Sequence, residues 1–143
     1  MRDTSAPRII ALHHVALPVT DLERSRHFYS EVLGLHETER PAAFGFPGAW
    51  FELGDGQLHL IVREGGTFRA SKSVDSRDVH FAVRVGDFEA MVVHLRASGY
   101  RDDANASDPM WMKVNRQPNA GFPQIFVMDP DAHVIEINAA SLG

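Results

Sequence analysis

His14-Val15-Ala16-Leu17-Pro18-Val19-Thr20-Asp21-Leu22-Glu23 and His80-Phe81-Ala82-Val83-Arg84-Val85-Gly86-Asp87-Phe88-Glu89 are two versions of one pattern. At the offset that carries His14 to His80, the residues His, Ala, Val, Asp and Glu recur, with apolar residues between them. Each stretch runs as an apolar strand into an Asp, a residue whose carboxylate caps the first turn of a helix. Strand, cap and helix repeated in one short chain mark a duplicated supersecondary unit. The His at the head of the strand is duplicated with it.

Reading outward from the first copy, 9–19 is a strand whose Pro18 belongs at an edge or bend. After Asp21, the residues Leu22, Arg26, Phe28, Tyr29, Val32 and Leu33 fall largely on one helical face, and Gly34 supplies the stop. A short strand over 35–40 follows, then a loop holding Phe44 and Phe46. A strand over 50–53 turns at Gly54-Asp55-Gly56 into a return strand over 57–63. The polar, aperiodic stretch 64–77 is a linker.

The second copy has a strand over 78–85. Its helix after Asp87 carries an apolar stripe of Phe88, Met91, Val92 and Leu95, and Gly99 ends it. Strands over 110–115 and 123–128 flank a turn at Pro118-Asn119-Ala120-Gly121. The tight turn Asp129-Pro130-Asp131-Ala132 leads into a final strand over 133–139. Each half therefore reads β-α-β-β-β, an α+β arrangement within one domain spanning 1–143: module one at 9–64, linker at 65–77, module two at 78–139.

A chain of 143 residues is long enough for one real core. A net charge of −5 with no basic run argues against a nucleic-acid surface. No apolar run approaches a membrane span, and the polar start lacks a signal core, so the expectation is a cytoplasmic protein. The chain has no cysteine, which removes disulfides, thiolate metal sites and cysteine nucleophiles together. Any metal site must be built from His and carboxylates. Ser25 and Ser30 have no His and acid at triad-like positions, so a serine hydrolase is not supported.

The duplication predicts that equivalent strands carry equivalent functional positions. The first strands give His14 and His80. The last strands, each just after an Asp-containing turn, give His59 in Leu58-His59-Leu60-Ile61 and Glu136 in Val134-Ile135-Glu136-Ile137. A lone His on a strand is more often an ordinary hydrogen-bonded residue, and a lone Glu can point to solvent. Four such residues at repeat-related positions point instead to a divalent metal site, since three imidazoles and a carboxylate suit a borderline cation. Phe46, Trp50 and Trp111 could wall a small-molecule pocket, and Arg63 could anchor an anionic substrate. Each is equally well read as core, interface or solvated surface.

These residues resemble the vicinal oxygen chelate superfamily, which includes glyoxalase I, fosfomycin- and bleomycin-resistance proteins and extradiol dioxygenases. The resemblance covers about 9–139. It rests on His14-Val15-Ala16-Leu17, Asp21-Leu22, Phe28-Tyr29, Val32-Leu33-Gly34-Leu35, Asp129-Pro130-Asp131 and Ile135-Glu136-Ile137. It implies two paired modules whose eight strands form a cupped mixed sheet with helices outside. It also implies one divalent ion (Zn, Ni, Fe, Co or Mn) on His14, His59, His80 and Glu136. Many members are homodimers, some building the site from two chains. The implied function is metal-dependent lyase or isomerase chemistry on a small oxygen-chelating substrate, like that of lactoylglutathione lyase, with Glu136 moving protons. Several positions depart from glyoxalase I: His59 stands where it usually has Glu, Pro18 where it has a glutathione-binding Arg, and Arg63 where it has Asn. Ala16 replaces the Thr of fosfomycin-resistance enzymes. A thiol transferase, a dioxygenase and a drug- or toxin-binding protein without turnover are the alternatives.

Overall fold

The structure, a computed structural model, describes residues 6–69, 73–117 and 119–143. Its eight strands fall into two four-stranded sheets of the same design. In the first, β1 (His14–Val19) runs parallel to β4 (Gly56–Val62), which pairs antiparallel with β3 (Gly48–Leu53), which pairs with the short β2 (Glu37–Thr38). In the second, β5 (His80–Arg84) runs parallel to β8 (Val134–Asn138), followed by β7 (Gln124–Met128) and β6 (Lys113–Asn115). β1 and β5 are thus edge strands of their sheets, as are β2 and β6 at the opposite ends.

Both expected helices start where the Asp caps place them. Asp21 accepts from the Arg24 amide ahead of α1 (Leu22–His27), and Asp87 accepts from the Ala90 amide ahead of α2 (Phe88–Ala97). The first helix does not run straight to Gly34. After His27 it widens into a π-helical turn over Phe28–Val32, which buries both Phe28 and Tyr29. Gly34 and Gly99 then leave their helices at φ 71° and 105°, a left-handed conformation that costs a glycine nothing sterically. β1 is shorter than expected. Residues 9–13 lie outside it, with Ile9 and Ile10 almost fully exposed, because Gln57 is the first partner β4 offers, opposite His14. Pro118 of the expected 118–121 turn, and 70–72 of the linker, lie outside the described residues.

One apolar cluster joins the two modules. Phe28, Tyr29, Phe51, Leu58 and Leu60 from the first pack with Phe88, Leu95, Tyr100, Ile135 and Ile137 from the second. Polar ties reinforce it. The Tyr29 hydroxyl donates to Asp129 at 2.7 Å, and His94 Nε2 donates to the carbonyl of Val32 at 2.9 Å. Thr20 donates to Asp131, and His133 Nε2 donates to the Pro18 carbonyl at 2.7 Å. His133, a residue of the turn, therefore fastens the end of β1 to the start of β8. Among the described residues no helix is long and apolar enough to cross a membrane.

Candidate metal centre

The parallel register of β1 and β4 sets Ala16 beside His59, with His14 beside Gln57. The antiparallel register sets Trp50 on the other side of His59. Side chains in one row of a sheet share a face. The result is a stack: the His59 ring lies 4.2 Å from that of His14 at 15° and 4.1 Å from that of Trp50 at 3°. Phe44 meets Trp50 edge-on, Phe46 meets Phe44, and the Arg40 guanidinium covers both phenylalanines. His59 is buried, and its Nε2 bonds the side-chain oxygen of Gln57 at 2.8 Å. Burial, aided by nearby His14, His13 and Arg40, holds its pKa below the usual 6.5, so the ring is neutral and able to ligate.

In the second sheet the register sets Ala82 and Phe126 on either side of Glu136. Glu136 is 6 % exposed. The His80 ring meets that of Phe126 edge-on at 5.5 Å. His80 Nδ1 lies 2.7 Å from the Asp78 carbonyl, which can only accept, so Nδ1 carries the proton. In the neutral ring Nε2 then presents a lone pair, and it faces Glu136 Oε1 at 3.4 Å. Two acceptors turned toward each other need a proton or a cation between them. This donor set, an imidazole oriented by a backbone carbonyl beside a carboxylate, fits a divalent metal.

The four expected ligands therefore come together as two pairs, His14 with His59 and His80 with Glu136. Among the described residues no three His, Asp or Glu side chains gather closely enough to hold an ion. The reason is the sheet topology: each pair spans the edge strand and the neighbouring strand of its own sheet. A cleft of about 740 Å³ lined by β1 and β5, with His14, Gln57, His80 and His133 on its walls, opens between them.

The other expected site residues distribute unevenly. Trp50 lies on His59, with Phe46 one ring beyond Phe44. Trp111 packs against the cluster containing Phe126 and Val134, one side chain behind His80, and its Nε1 donates to the Asp102 carbonyl. Arg63 folds onto its own loop, donating to the Gly66 carbonyl and lying over Phe68. Among the described residues neither Ser25 nor Ser30 faces a His and acid: the Ser25 hydroxyl is buried with no partner among them, and that of Ser30 donates to the Arg26 carbonyl. The sequence reading passed over Gln57, Arg84 and Asn138. Each lies two or four residues along a strand from an expected ligand, so the two-residue strand period was the signal that could have found them.

The sequence model of the glyoxalase/bleomycin resistance protein/dioxygenase superfamily matches residues 11–137. The chain belongs to that superfamily. It is 30 % identical over 132 residues to the glutathione transferase FosA of Serratia marcescens, covering 92 % of this chain and 82 % of that protein. A glyoxalase family protein from Bacillus anthracis superposes with a TM-score of 0.71 at 20 % identity, over 94 % of this chain and 98 % of the other. A point mutant of the fosfomycin resistance protein FosX from Listeria monocytogenes, complexed with Mn(II) and 1S,2S-dihydroxypropylphosphonic acid, superposes at 0.68. That pair shares 16 % identity over 94 % of this chain and 95 % of FosX. Superfamily members thus include enzymes, and at least one binds a divalent metal beside a small oxygen-rich ligand.

Proposed function

We propose that this chain is a divalent-metal-dependent enzyme acting on a small substrate through two neighbouring oxygens, with lyase or isomerase chemistry of the glyoxalase type. The observation that carries the reading is the division of the proposed ligands into two half-sites, each on an edge strand and the strand paired with it. A second copy of the chain completes the site. Its β5 lies beside β1 of the first, so that His14 and His59 of one chain meet His80 and Glu136 of the other. Exposed sheet edges invite pairing. The apolar rim of the cleft, with Leu12, Phe68 and Val79 each at least 75 % exposed, gives a second copy surface to cover.

A divalent cation held there supplies Lewis acidity toward substrate oxygens. The chain's own residues do the rest. His59, kept neutral by burial, offers a nitrogen. Glu136 takes up or returns a proton through Oε1 once that oxygen has left the ion, since Oε2 is held by Asn138. Trp50, Phe46 and Trp111 wall the site and exclude water, and Arg63 swings from its loop to meet an anionic group. The relation to FosA favours a second reading, transfer of a thiol to a small electrophile. The departures from glyoxalase I at Pro18 and Arg63 count against a glutathione hemithioacetal as substrate, while Ala16 departs from the fosfomycin-resistance pattern.

The test is metal analysis of the purified protein, then titration of stripped protein with Ni, Co, Mn, Fe and Zn. One ion per chain is expected, with affinity falling more than about tenfold in His80→Ala, since losing even an outer-shell partner costs that much. A metal-free protein, or unchanged affinity in His80→Ala, sinks the proposal.

A further inference from the structure

The two oxygens of Glu136 live in different surroundings. Oε2 accepts a hydrogen bond from Asn138 Nδ2 at 2.6 Å, while Oε1 faces His80. The Asn138 amide is not free to turn over. A guanidinium only donates, and Arg84 Nε lies 2.8 Å from Asn138 Oδ1. With its oxygen committed to Arg84, the amide must aim its NH₂ at Glu136. Reversing it would set donor against donor at one end and acceptor against acceptor at the other. The backbone holds the chain of contacts in place: Arg84 and Asn138 are register partners across β5 and β8, and Asn138 follows Glu136 by two residues on one face. Glu136 and Asn138 are both 6 % exposed, so water competes little for these bonds.

We propose that Arg84 and Asn138 are positioning residues that make Glu136 a one-oxygen ligand, holding Oε2 and leaving Oε1 for the metal. The inference rests on the reading of His80 and Glu136 as ligands. The carbonyl of Asp78 orients His80 on one side, and the Arg84–Asn138 chain orients Glu136 on the other. A carboxylate bound through one oxygen leaves a coordination position open, which a substrate offering two oxygens requires.

The experiment uses the stripped full chain and Co²⁺, following its visible absorption and its affinity by calorimetry. Variants are Asn138→Ala, Arg84→Ala and Arg84→Lys. Asn138→Ala and Arg84→Ala should each bind Co²⁺ about tenfold more weakly, the lower end of outer-shell losses. Their cobalt bands should weaken as Glu136 closes onto the ion with both oxygens. Arg84→Lys keeps a donor for Oδ1 and should recover affinity and spectrum toward those of the unsubstituted protein. Arg84 is exposed, so its replacement spares the core and carries the test even if Asn138→Ala fails to fold. Unchanged affinity and spectrum in Arg84→Ala overturn the positioning role and leave the metal site standing. No Co²⁺ binding by the unsubstituted protein overturns the metal reading, and this inference with it.

Discussion

Asp21 and Asp87 cap their helices with nearly one geometry, at φ −132° and −129° and both at ψ 104°, yet the strands before them carry unlike chemistry. In module one the half-site is a stack of rings, Trp50 on His59 on His14. In module two it is a chain of directed polar contacts from Arg84 through Asn138 to Glu136, ending opposite His80. The comparison separates what duplication preserves from what it releases. Strand register and helix caps are held by backbone hydrogen bonds and survive the divergence of side chains. The chemistry at each edge follows from a few side chains in one row. One half thus offers imidazole nitrogens alone, and the other offers a carboxylate beside an imidazole.

The largest effect should come from breaking the tie between the halves. Tyr29→Phe removes the only donor on Asp129 Oδ2 among the described residues and leaves a buried carboxylate oxygen unsatisfied. Urea unfolding should show a loss of about 1–3 kcal/mol. No loss would mean that the Tyr29–Asp129 bond does not help to join the modules.

The equivalence of the halves is tested by Asp21→Ala and Asp87→Ala. Each removes one cap of the same geometry, so each should cost about 1 kcal/mol. A difference of twofold or more between the two in urea unfolding would show that the π-helical turn after His27 makes the first helix less dependent on its cap.

The smallest effect concerns the difference between the half-sites. Burial lowers the His59 pKa below 6.5. Between that lowered value and 6.5 the unfolded chain binds a proton that the folded chain refuses, so metal-free stability rises with pH across the window. His59→Gln should flatten this part of the slope on the acid side of pH 6.5, read from urea midpoints. An unaltered slope would remove His59 as the neutral partner in module one.

Much of this was legible in the residues. The repeat of His14 at His80 and of Asp21 at Asp87 gave both modules and all eight strands, because strand alternation, Asp caps and glycine stops are local signals. The equivalence of first and last strands is what singled out His14, His59, His80 and Glu136. Two things were not legible. The π-helical turn at Phe28–Val32 is set by how Phe28 and Tyr29 enter the shared core, a tertiary effect. The separation of His14 and His59 from His80 and Glu136 depends on how the modules sit against each other, which no local pattern encodes. Arg84 and Asn138 went unnoticed because each looks like an ordinary polar residue until β5 and β8 place them side by side.

The claim at the centre of the account is that His14 with His59 on one chain and His80 with Glu136 on another form a single metal site. Co-expression of His14→Ala and His80→Ala chains with different tags, followed by isolation of the heterodimer and metal counting, tests it directly. One of the two sites in that heterodimer keeps all four ligands, so the account predicts one ion per heterodimer and none in either variant homodimer at concentrations that saturate the unsubstituted protein. A heterodimer without metal, or ions held equally by the homodimers, would contradict it.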